Sequence, residues 1–132
     1  LLHAIMGTIA YEDGDKEQAL SHFRSACKLQ PDDARSHNNL AYLLMEIRDD
    51  EAGFREALAL IEEALRVAPD EPMYRETRGQ LRLRLGDYPG AIADLTFALN
   101  GLGDRAQVHA ALAKAYELNG QPEQARLHRQ VH

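Results

Sequence analysis

The sequence predicts an all-α fold, a solenoid of antiparallel helix pairs with about eight helices. Three observations predict it. Apolar or small residues recur at steps of three and four, as in Ala19, Leu20, Phe23, Ala26, Cys27 and Leu29, which places them on one face of a helix. Gly and Pro interrupt the pattern at helix-length intervals, notably at Gly14, Pro31, Pro69, Gly86, Gly103 and Gly120, and both end helices. The pattern also returns in phase. Ala19-x3-Phe23-x2-Ala26-x4-Pro31 recurs as Ala57-x3-Ile61-x2-Ala64-x4-Pro69, then as Ala91-x3-Leu95-x2-Ala98 with Gly103 where Pro would fall, and Ala125 opens a further copy. One such helix cannot bury its apolar face alone, so the repetition itself implies stacking.

Taken in order, Leu1 to Glu12 reads as the first helix, with Leu2, Met6, Ile9 and Ala10 as its apolar stripe. Gly7 interrupts it at a cost of about 1 kcal/mol against Ala, and its expected use is close contact between helices. Asp13-Gly14-Asp15 is a turn, and the second helix follows to Pro31. Asp32 or Asp33 can cap the third helix, which carries Leu40, Ala41, Leu43, Leu44 and Ile47. Arg48 to Ala52 reads as a charged turn before a fourth helix, Phe54 to Val67, with Ala57, Leu58, Ile61, Ala64 and Leu65 on one face. Pro72 suits the first turn of the fifth helix, which Gly86-Asp87 ends. Ala91, Ile92, Leu95, Ala98 and Leu99 mark the sixth, and Asn100-Gly101-Leu102-Gly103 reads as a flexible break. Asp104 is the expected cap of the seventh, which carries Val108, Leu112, Ala113, Ala115 and Tyr116. Asn119-Gly120 ends it, and Pro122 opens an eighth helix in which the chain stops.

In the leading helix of each pair, Met6-Gly7, Leu40-Ala41, Arg78-Gly79 and Leu112-Ala113 correspond. Gly7 to Ala41 and Gly79 to Ala113 are each 34 residues, and Ala41 to Gly79 is 38. This resembles the tetratricopeptide repeat (TPR), a 34-residue helix-turn-helix with the pattern W-x2-L-G-x2-Y…A-x3-F…P. The resemblance covers essentially the whole chain as one domain, residues 1–132, with repeats at about 1–33, 34–71, 72–105 and a partial 106–132. It implies a right-handed superhelix, in a bacterial-type TPR protein or a TPR fragment of a longer one. The departures are specific. His3, His37, Arg75 and His109 fill the Trp place. Ala10, Leu44 and Arg82 fill the Tyr place, which only Tyr116 keeps. Four extra residues, about one helical turn, fall around Asp49-Asp50-Glu51-Ala52. They predict longer facing helix ends in the second repeat and no floppy loop.

The 132 residues carry 45% apolar and 27% charged side chains and a net charge of −6. That acidity argues against nucleic acid or an anionic membrane surface as the main partner, and no apolar run approaches the roughly 20 residues of a membrane span. The lone Cys27 cannot form an internal disulfide and favours a reducing, cytoplasmic setting. The chain opens on Leu1 with no secretory leader and reads as a fragment, which leaves the compartment open.

What the resemblance implies is a non-catalytic scaffold that binds a peptide or partner protein in a concave groove lined by the leading helices. Family geometry places Ala4, Thr8 and Tyr11 there from the first repeat, and Arg35, Asn38, Asn39, Tyr42, Met45 and Glu46 from the second. The third repeat contributes Met73, Glu76, Gln80 and Leu83, and the fourth Gln107, Ala110, Lys114 and Glu117. Tyr42, Met45, Met73 and Leu83 offer apolar, adaptable surface, and Asn38 and Asn39 can bond a peptide backbone in both directions. Some TPR domains clamp the C-terminal carboxylate of chaperone tails with Lys, Asn and Arg. Here Asn39 matches, but Ala4, Thr8, Met73 and Thr77 hold the other places, so that clamp is rejected for want of converging cations.

Arg75, Arg78 and Arg82 fall on one side of the fifth helix. Buried cations need partners, so the favoured reading pairs them with carboxylates, Asp94 first and then Glu62 or Glu63. The competing reading is an anion or acidic-peptide site. The six His residues lack metal spacing: His3, His37 and His109 recur on leading helices, interrupted by Arg75, and His22, His128 and His132 fall on trailing ones. No metal or cofactor is expected. Cys27 reads as a buried, inert thiol. Asp49-Asp50-Glu51 lacks the ligand alternation of a calcium loop, and no phosphate loop or nucleophile elbow supports an enzyme.

The alternative function is a structural or self-assembly segment, joined through its ends to further repeats or into a homo-oligomer. Ala125 and Leu127 are expected to be left uncovered on the last helix, where a solenoid needs a cap.

Overall fold

Acidic side chains start several of the helices. Asp15 accepts from the Gln18 backbone N–H at 3.0 Å, Asp50 from Gly53 at 2.7 Å and Asp87 from Gly90 at 3.0 Å. Each satisfies a donor that the first helical turn leaves without a partner. A computed structural model describes residues 2–130. It forms two compact units, Leu1–Pro69 and Asp70–His132. The first holds α1 (Leu2–Glu12), α2 (Lys16–Leu29), α3 (Ala34–Ile47) and α4 (Glu51–Val67). The second holds α5 (Pro72–Arg84), α6 (Tyr88–Leu102), α7 (Ala106–Leu118) and α8 (Pro122–Arg129). In each unit every helix packs on the next in sequence. Leu1, and His132 beyond the end of α8, lie outside the described residues.

In the first unit Ala19, Phe23 and Ala26 of α2 are buried, as are Leu40, Ala41, Leu43 and Leu44 of α3, and Ala57, Ile61 and Ala64 of α4. Small residues set the close approaches. A Cβ on Gly7 would stand 2.6 Å from the Phe23 ring, so α1 lies where only Gly fits. The four extra residues extend α4, which begins at Glu51 and not at Phe54 and runs 17 residues against 14 for α2. The stripe expected on α1 is mostly uncovered: Ala10 is buried, but Leu2, Met6 and Ile9 are exposed. Asp33 takes the cap position of α3, but its carboxylate accepts from the Ser36 hydroxyl at 2.8 Å and makes no side-chain cap bond.

In the second unit Leu83, Ala91, Leu95, Val108, Ala111, Leu112 and Ala115 form one core, with Tyr88, Ile92, Leu99 and Tyr116 packed against it. Three expectations are corrected here. The break at Asn100 to Gly103 is helical as far as Leu102, and only Gly103 turns out of it, at φ 83°. Gly101 lies inside the helix with Pro72 packed against it, 2.4 Å from where a Cβ would be, so a larger residue would clash there. Asp104 does not cap α7: Arg105 holds that position, and the Asp104 carboxylate meets His109 Nε2 at 3.3 Å. Ala125 is fully buried, and Leu127 alone of that expected pair is exposed.

Candidate protein-interaction faces

The polar cluster of the second unit is structural. Asp94 on α6 is fully buried and accepts from Arg75 Nε at 2.7 Å, from Arg78 Nε at 2.8 Å and Nη2 at 2.9 Å, and from Arg82 Nη1 at 2.9 Å. The Arg75 guanidinium also lies 4.2 Å from the centroid of the Phe97 ring, a cation–π contact. Asp94 is thus the carboxylate that the sequence pointed to first. Glu63 pairs instead with Arg66 at 2.7 Å.

Among the described residues the histidines form two pairs and no ladder. His3 Nδ1 meets His22 Nδ1 at 3.3 Å, and His109 Nδ1 meets His128 Nδ1 at 2.9 Å with Tyr116 stacked on His128. His37 Nδ1 meets the Asp33 carbonyl instead, at 3.0 Å. Each pair spans 19 residues, the same step as Arg75 to Asp94. That shared step was legible in the chain and marks one recurrent contact between leading and trailing helices. Burial and the neighbouring His109 push His128 below the ordinary imidazole range. Among the described residues no group of three or more His, Cys, Asp or Glu could hold a metal ion, and no helix is long and apolar enough to cross a membrane. Cys27 is half-buried, and desolvation pushes its thiol up to about 11.

The residues expected to face a ligand divide. In the first unit Tyr11 and Tyr42 are 38% and 41% exposed. The Tyr11 hydroxyl donates to Glu46 Oε1 at 2.8 Å, and Lys16 Nζ sits 3.2 Å from Glu46 Oε2. Thr8 and Arg35 are exposed, Asn38 and Asn39 half-buried. The Thr8 hydroxyl donates back to the Ala4 carbonyl, and Asn38 Oδ1 is buried without a hydrogen-bond partner among the described residues. Met45 is a correction: only 5% exposed, it belongs to the core and offers no contact surface. In the second unit Met73 is 50% exposed, Lys114 is exposed and Gln80 is half-buried. Glu76 accepts from Gln107 at 3.0 Å, and burial raises its carboxyl above the usual range. Leu83 is the second correction, since it lies in the core with Leu95 and Leu112. Met45 and Leu83 stand at the repeat place that Tyr11 occupies in α1. Lys16 was missed because it opens a trailing helix, and nothing local marks it as a neighbour of Glu46.

A TPR repeat family model matches residues 7–47, and a tetratricopeptide repeat model matches residues 50–96 and 76–128. The chain belongs to the tetratricopeptide repeat family. TPR proteins are generally non-catalytic interaction scaffolds. Among solved structures, MamA 41-end from Desulfovibrio magneticus RS-1 is similar at 19% identity and a TM-score of 0.84, over 98% of this chain and 71% of that one. MamA AMB-1 is similar at 20% identity and a TM-score of 0.79, over 97% and 73%. A further MamA crystal structure is similar at 16% identity and 0.81, over 95% and 71%. At these identities the likeness is one of fold. No curated protein matches the chain.

Proposed function

We propose that this TPR domain is a non-catalytic scaffold that takes a peptide or partner protein on the faces of its leading helices, the groove side of the family fold. The observation that supports this reading is the pair of exposed tyrosines, Tyr11 and Tyr42, beside Asn38 and Asn39 on α1 and α3. Tyrosine supplies large, stiff contact area and a polar tip, and dominates many interfaces for that reason. The test is a pull-down with the chain as bait, followed by Tyr42→Ala and Asn38→Ala. The reading expects each variant to keep its helical circular dichroism and to lose at least about tenfold in affinity for the captured partner, the usual scale for a central tyrosine. Capture unchanged in both variants would remove this face from the function.

A second reading, a structural or self-assembling segment, is favoured by α1. Leu2, Ile5, Met6 and Ile9 are exposed at the i, i+3, i+4, i+7 spacing of a buried face. The matching places on α7, Val108, Ala111, Leu112 and Ala115, are all buried. The reading expects the solution mass to rise with concentration, and Ile5→Glu with Ile9→Glu to hold the chain at its monomer mass. A mass that stays monomeric across the series removes this reading.

A further inference from the structure

Glu46 lies in the last turn of α3, and Tyr11 lies in the last turn of α1. Tyr42 stands one turn before Glu46, on the same side of α3. The two tyrosines are exposed, and the Glu46 carboxylate, 25% exposed, has both oxygens in use: Oε1 accepts from Tyr11, and Oε2 faces the ammonium of Lys16. A carboxylate beside tyrosine rings at two helix C-termini is a cation-accepting arrangement. The carboxylate supplies charge, and the ring faces attract cations. Glu12 ends α1, and the turns add Asp13 and Asp15 after α1 and Asp49 and Asp50 after α3. The nearby cations are Lys16 and Arg48, and Arg48 leans towards Glu56 at 4.0 Å. Arg35 lies at the other end of α3.

We propose that Tyr11, Tyr42 and Glu46 recognise a lysine or arginine side chain of the bound peptide, and that Lys16 holds that place in the free protein. The inference rests on the peptide-binding reading and names the chemistry of its ligand. Lys16 is suited to give way. Its side chain is 51% exposed on a flexible stem, and an exposed ion pair of this kind contributes little to stability. A peptide cation that replaces it gains the same carboxylate with the entropy of a fitted partner already spent on the rest of the peptide.

The test uses the full chain and two fluorescent peptides of equal length, one carrying spaced lysines and one carrying glutamates at the same positions. Fluorescence anisotropy is read at low and at physiological salt. The lysine peptide is expected to bind and the glutamate peptide to bind at least about tenfold more weakly, with the difference narrowing as salt screens it. Glu46→Gln is expected to weaken the lysine peptide about fivefold or more. Lys16→Ala is expected to tighten it about two- to fivefold, because an internal competitor is gone. Glu123→Gln, an equal charge change on α8, is expected to leave affinity unchanged. Equal binding of the two peptides, an equal loss from Glu123→Gln, or a Lys16→Ala variant that binds no tighter would overturn the proposal. If the lysine peptide fails while Tyr42→Ala still releases the pulled-down partner, the cation inference falls and the peptide-binding reading stands.

Discussion

Asp94 has no exposed surface, yet it holds three guanidinium groups of α5 in place. Removing one partner of a buried ion cluster costs far more than the cluster adds over an apolar core. Asp94→Ala is therefore expected to lose roughly 3–5 kcal/mol in urea unfolding, and a loss under about 1 kcal/mol would contradict the geometry. Cys27 tests burial in another way. With its thiol pushed up to about 11, the thiolate fraction at pH 8 is on the order of one in a thousand, and the thiolate is the species that reacts. Alkylation by iodoacetamide is expected to be much slower in the folded chain than in urea. His128 has a folded-state pKa below its unfolded value. Between those two values the unfolded chain binds more protons, so stability rises with pH across that window. It is fully present above the ordinary imidazole value and is lost as pH falls below it. The melting temperature is expected to drop from pH 8 to pH 5, and His128→Gln is expected to shrink that drop. The Asp94 cluster was legible in the chain because charge, helical spacing and repeat phase all pointed to it. The core positions of Met45 and Leu83 were not, because the equivalent Tyr11 is exposed and the repeat place alone does not say what lies opposite.

Helices are set by short-range chemistry and then trimmed by their neighbours. At Gly79, in the interior of α5, a Cβ would stand 2.8 Å from Leu95 Cγ. Gly79→Ala gains about 1 kcal/mol of helix propensity but overpacks the α5–α6 contact, which typically costs about 1–3 kcal/mol. A net destabilisation is expected in thermal unfolding, and a stabilised variant would show that α6 yields easily. Gly101 shows the same effect on a boundary. Its sequence reads as a break, but it packs on Pro72 within α6, and the helix ends at Gly103, which takes the positive φ. The extension of α4 was foreseeable, since four residues are close to one turn and preserve the phase of its apolar face.

For the chain as a whole, acidity, repetition and an uncovered α1 set the expectations. The net charge of −6 steers cationic partners towards it, consistent with a basic peptide at Glu46. Raising ionic strength is expected to slow association with such a peptide more than dissociation, which stopped-flow fluorescence can separate.

By itself the sequence determined the helices, their pairing and the phase of the repeats, including the long second one. Those features follow from apolar spacing, acidic caps and Gly or Pro stops, which act within a few residues. Tertiary structure alone decided which of the expected contact positions stay open. Tyr11 and Tyr42 remain exposed, Met45 and Leu83 close into the core, and Lys16 arrives at Glu46 from another helix. Exposure and ion pairing depend on what lies across the gap, and a repeat pattern does not carry that information.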